Sequence, residues 1–120
     1  MSITLQEARN AILSGGFFEK SSTVKLSEFE SKTTGRILYL YKQQGLPGHA
    51  DVIVHPERNA AALLAIPDIE PNKRVTYRFG SNMSTFPKKV NKGAGPEHCG
   101  RALYVRSQGA LSALCKAYDS

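Results

Sequence analysis

The order of patterns along the chain predicts an α+β fold: an antiparallel β-sheet of about four or five strands with an N-terminal and a C-terminal helix packed on it. Three observations carry this. A capping signal, Thr4 with Glu7 three residues on, opens a helically spaced apolar run. Short β-branched and aromatic stretches follow, separated by turn residues rather than by helices. Leu111, Leu114, Cys115 and Tyr118 then close the chain at i, i+3, i+4, i+7. Strands grouped between terminal helices, instead of alternating with them, argue against a doubly wound parallel sheet.

In the first helix, Leu5, Ala8, Ile12 and Leu13 share a face, and Gly15-Gly16 supplies the left-handed residue that stops it, giving a span of about 4–14. Ser22 to Phe29, with Val24 and Leu26 alternating, reads as the first strand, and Arg36 to Lys42 as the second. Thr33-Thr34-Gly35 is short enough to join them as a hairpin. After the glycine and proline turn at 43–48, Ala50 to His55 is a third strand stopped by Pro56, so the three should form an antiparallel meander. Residues 57–72 read as a covering loop with room for a turn of helix, since the apolar run within it is short. Lys73 to Phe79 is a fourth strand. Ser81 to Gly100 holds three glycines and two prolines with little periodicity and reads as a long surface loop, the kind of segment that commonly carries function. Ala102 to Val105 adds a short strand, and Ser107 caps the last helix.

Composition sets the broad class. With 120 residues, 41% hydrophobic and 22% charged, the chain suits one domain over residues 1–120 whose core needs no metal or disulfide. The longest apolar run, Ala60 to Ile66, is far short of the roughly 20 residues that cross a bilayer, so no membrane is expected as a partner. The N-terminus lacks the charged-then-apolar layout of a secretion signal, which leads us to expect a cytoplasmic chain with Cys99 and Cys115 as reduced thiols.

The string Ile37-Leu38-Tyr39-Leu40-Tyr41, then Val52-Ile53-Val54-His55-Pro56, Phe86-Pro87, Gly93, Glu97-His98 and Gly100, followed by a terminal apolar helix, resembles the YgaC-like family of small cytoplasmic bacterial proteins. The resemblance covers most of the chain and is weakest over Asn59 to Lys73. It implies an antiparallel sheet with accompanying helices. The family's activity is not established, so it implies no catalytic residues.

Candidate chemistry is sparse. His49, Asp51, Ile53 and His55 share one face of a regular strand, opposite Ala50, Val52 and Val54, and with His98 they make a candidate polar site. A half-solvated strand shows the same alternation with no chemistry attached. His98 beside Cys99 suggests zinc or a thiolate nucleophile, yet sequence neighbours rarely reach one atom, and no paired ligand motif is present. We therefore expect no catalytic set, no metal and no cofactor. Charge is the remaining signal. Residues 1–60 carry seven basic and six acidic side chains, net +1, and 61–120 carry nine and four, net +5, out of a total of +6. Arg74, Arg78, Lys88, Lys89, Lys92, Arg101 and Arg106 form the candidate binding set, interleaved with Tyr77, Phe79, Phe86 and Tyr104. Basic side chains that neutralise phosphates and aromatics that stack on bases suit nucleic acid. The alternative is an accessory or immunity type module that covers an acidic protein.

Overall fold

The computed structural model describes residues 3–42, 49–56, 60–72, 77–79, 86–89 and 97–119. The elements run α1 (Leu5–Ser14), β1 (Phe17–Ser22), β2 (Leu26–Ser31), β3 (Ile37–Tyr41), β4 (Ala50–Val54), α2 (Ala60–Leu64), β5 (Ile69–Pro71), β6 (Tyr77–Phe79), β7 (Lys88–Lys89), β8 (Glu97–Val105) and α3 (Gln108–Tyr118). The fold is α+β, an antiparallel sheet with N-terminal and C-terminal helices. Its strand order is β1-β2-β3-β4-β8-β5, with β6 and β7 also paired to β8, so it is larger than the four or five strands expected.

Both terminal helices form as their caps dictate. The Thr4 hydroxyl accepts from the Glu7 amide at 3.1 Å, and the Glu7 carboxylate accepts from the Thr4 amide at 2.9 Å, which satisfies two otherwise unpaired donors. Gly16, at φ 92°, turns the chain out of α1. Ser107 accepts from the Ala110 amide at 3.1 Å to open α3. Leu111, Leu114, Cys115 and Tyr118 are all buried.

The first hairpin differs from the expected one. β1 and β2 form a hairpin of their own, turning at Thr23, and the run expected as one strand from Ser22 to Phe29 is broken there. Val24 favours a strand by its branching, but it is 85% exposed on the bend. The Thr23 hydroxyl accepts from the Leu26 amide at 3.1 Å, so a local side-chain bond outweighs that preference. The β2–β3 turn at Thr33-Thr34-Gly35 is as expected, with Gly35 at φ 74°.

Among the described residues, the second half holds more strand than its composition suggested. The segment expected as a loop from Ser81 to Gly100 contains β7 and the first four residues of β8, with Lys88 opposite His98 and Lys89 opposite Glu97. The covering loop 57–72 contains α2 and a strand, β5, whose partners are Leu103 to Val105. Of the expected strand 73–79, Tyr77 to Phe79 form β6, and 73–76 lie outside the described residues.

Two cores sit on opposite faces of the sheet. On the helix side, Phe29, Leu38, Leu40, Val52 and Leu103 pack with α1 and α3 in one large cluster. On the reverse side, Leu26, Ile37, Tyr39, Ile53 and Phe86 form a small one. The C-terminus of α3 clamps the β2–β3 turn. Asp119 accepts from the Thr33 hydroxyl at 2.7 Å and from the Thr34 hydroxyl, and Arg36 donates to the Tyr118 carbonyl at 2.7 Å. Both cysteines are buried and unbridged. Among the described residues no helix is long and apolar enough to cross a membrane.

Candidate functional site

Period-two alternation carries Asp51 and Ile53 to the reverse face, opposite the apolar helix face of Ala50, Val52 and Val54. On β4, Asp51 lies between Tyr41 of β3 and Tyr104 of β8, its two cross-strand partners. It is 2% exposed. Its Oδ2 accepts from Asn72 Nδ2 at 3.1 Å and is ion-paired with Arg78 Nη2. The Arg78 guanidinium lies 3.9 Å from the centre of the Tyr41 ring, held by the charge it shares with Asp51 and by the ring's negative face. One arginine from a three-residue strand thus reaches across the sheet and closes its reverse face. Asp51 Oδ1 and Arg78 Nε have no hydrogen-bond partner among the described residues.

The four candidate polar residues divide into two places. His49 stays with Asp51, its ring 5.4 Å from that of Tyr104. His55 and His98 meet Phe86 instead. The His55 ring is 5.7 Å from the Phe86 ring, edge to face. His98 Nδ1 is 2.7 Å from the Phe86 carbonyl oxygen, which can only accept, so Nδ1 carries the proton. Gly100 completes this unit: a Cβ there would stand 2.3 Å from Ile53 Cγ2 and 2.7 Å from the Phe86 ring. His55, His98 and Gly100, from separate strings of the sequence, therefore meet around Phe86 and carry out a packing task.

Cys99 and His98, neighbours on β8, sit in different surroundings. Cys99 is fully buried, while His98 is half-buried and bonded to Phe86. Successive residues of a strand point to opposite faces, so the two cannot serve one reacting atom. Burial, with the Asp119 charge adding to it, pushes the Cys115 thiol up to about 12. Among the described residues no three His, Cys, Asp or Glu side chains converge to hold a metal ion.

Of the candidate basic set, Arg74 and Lys92 lie outside the described residues. Arg78 is ion-paired with Asp51, and Arg106 with Glu70 at 2.9 Å. Arg101 sits on β8 opposite Val54 of β4 and Tyr77 of β6. It has no ion pair among the described residues, and its Nε is buried without a partner. Lys88 and Lys89 pair through their backbone with the start of β8. Phe86 and Tyr104, grouped with these cations as base-stacking platforms, are 4% and 3% exposed, so their faces are taken up by packing. Asn72 and Tyr41 at the Asp51–Arg78 pair, and Glu70 at Arg106, have no signal in the sequence, because nothing in their spacing links them to those partners.

No protein-family model matches the chain, and no curated protein matches it.

Proposed function

We infer that this is a non-catalytic binding protein whose basic surface, around β6, β7 and the first half of β8, engages a polyanion, with nucleic acid the first choice. The observation that carries the reading is the pairing of β6 and β7 with β8, which brings the Lys88-Lys89 backbone and Arg101 to one end of the sheet. Arg101 there has no carboxylate partner among the described residues, in a half of the chain with net charge +5. The proposal takes the chain to be a cytoplasmic member of the YgaC-like family, on the order of its motifs.

The test is salt-dependent binding of unrelated RNA and DNA oligonucleotides to wild type and to K88Q/K89Q/K92Q. Each lost phosphate contact lowers the magnitude of the log-affinity against log-salt slope by about 0.7 to 0.9, so the triple variant should flatten it by roughly two units. An unchanged affinity and slope would remove the reading. A second reading, occlusion of an acidic protein in the manner of an immunity or accessory module, is favoured by the burial of Phe86 and Tyr104, which withdraws two stacking platforms. Oligonucleotide binding that stays weak and unsaturated in the wild type would select it.

A further inference from the structure

The helix-facing side of β1, β2 and β3 is not uniformly filled. Phe17, Phe29, Leu38 and Leu40 pack into the core there. The cross-strand row at the far end, however, reads Ser22, Ser27, Leu40, with each serine standing where a large apolar side chain would complete the layer. The first turn of α1 passes above this row. The outcome is a hollow of about 450 Å³ whose lining includes Leu5, Arg9, Glu19, Ser27, Leu40 and Lys42. Ligand pockets commonly occupy roughly 300–1,000 Å³ and combine an apolar wall with a few convergent polar groups.

The polar groups have a definite charge balance. Arg9 donates through Nε and Nη2 to Glu19 Oε1, at 3.3 and 2.9 Å. The Arg9 hydrogen bond, against the opposing effect of burial, holds the Glu19 carboxyl below its usual range, so it is ionised at neutral pH. Lys42 donates to the Ser22 hydroxyl and to the Thr23 carbonyl, the latter at 2.8 Å, and has no ion pair among the described residues. Two cations thus face one carboxylate, leaving one positive charge uncompensated beside an apolar wall.

We propose that this hollow is a binding site for a small organic carboxylate. The carboxylate sits on the Lys42 ammonium and the unshared N–H groups of Arg9, and the hydrocarbon body lies against Leu5 and Leu40. A monoanion neutralises the single excess charge. A phosphate dianion would overshoot it next to Glu19, and an ammonium would meet a carboxylate already held by Arg9. The site lies on the opposite face of the sheet from the Asp51 network and does not depend on the polyanion reading.

Sodium hexanoate titrated into the isotope-labelled full chain, followed by methyl NMR, tests this. Saturable shifts at the Leu5 and Leu40 methyls are expected, with hexylamine and inorganic phosphate producing none there. Lys42→Gln should weaken hexanoate by at least about tenfold, the worth of one charge-assisted hydrogen bond. Ser27→Leu, which fills the hollow, should abolish those shifts in a folded chain. Hexylamine binding as tightly as hexanoate would overturn the proposal. So would an unchanged affinity in K42Q, or the absence of saturable shifts at both leucines in the wild type. Should Ser27→Leu fail to fold, the K42Q titration decides the matter alone.

Discussion

The two faces of this sheet are closed by different physics. On the helix side, α1 and α3 lay apolar stripes over Leu38, Val52 and Leu103, and water leaves because hydrocarbon meets hydrocarbon. On the reverse side no long helix is available among the described residues. The Phe86 ring packs with Ile53 and Tyr39, and the Arg78 guanidinium is drawn across to Asp51 and Tyr41. The helix side gains from every square ångström it buries, whatever the detailed fit. The reverse side depends on particular pairs, and removing one partner leaves the other stranded.

Substitutions on each face can break or sharpen this contrast. The largest loss is expected on the helix side. Leu114→Ala should cost about 2–5 kcal/mol in urea melts, the usual range for deleting a buried leucine, while Lys116→Ala, two residues on and exposed, should change little. Equal effects at both sites would mean that the stripe of α3 does not face the core. On the reverse side, Asp51→Ala removes the counter-charge of Arg78, whose side chain is 20% exposed, and should cost about 3 kcal/mol, the low end for a broken buried pair. The double change Asp51→Val with Arg78→Met should recover most of that loss, because no charge is then left unpaired. If the double variant is as unstable as Asp51→Ala, pairing is not what matters on this face.

A smaller effect is expected within the reverse-side cluster itself. Gly100→Ala places a Cβ against Ile53 and Phe86 and should cost about 1–3 kcal/mol by overpacking. Adding Phe86→Leu should make the two costs non-additive, as contacting residues are. Strict additivity would show that Gly100 is not making room for the ring.

The smallest effect is a pH dependence at the clamp between α3 and the β2–β3 turn. Burial acts to raise the Asp119 carboxyl, but hydrogen bonds from Ser31, Thr34 and Thr33, with the Arg36 charge, outweigh it and hold the group below its usual 3.8. A carboxyl lowered in the folded state adds stability above its unfolded value, and that stability is lost as pH falls through the lower, folded one. Wild type should therefore melt above Asp119→Asn at neutral pH, with the gap closing below about pH 3.8. A gap that persisted into strong acid would assign the difference to shape rather than charge.

Several parts of this molecule follow from the chain alone because their causes are local. The Thr4–Glu7 box and the Ser107 cap each join residues three apart, and the stripe of α3 repeats within three turns, so both helices are readable without knowing what they touch. The separation of Asp51 from Val52 and Val54 follows from the pleat of a single strand. What the tertiary structure decides is everything whose partner is distant. β5, β6 and β7 are two or three residues long and have no periodicity to read; they are strands because β8 supplies their hydrogen bonds. The glycines and prolines near Glu97 suggest a loop, yet the backbone there pairs with Lys88 and Lys89. Asp51 reads as an ordinary polar strand residue until folding brings Asn72 and Arg78 to it and buries all but 2% of its surface. A ladder or a buried ion pair is a property of two segments at once, and neither segment carries the other's position in its own spacing.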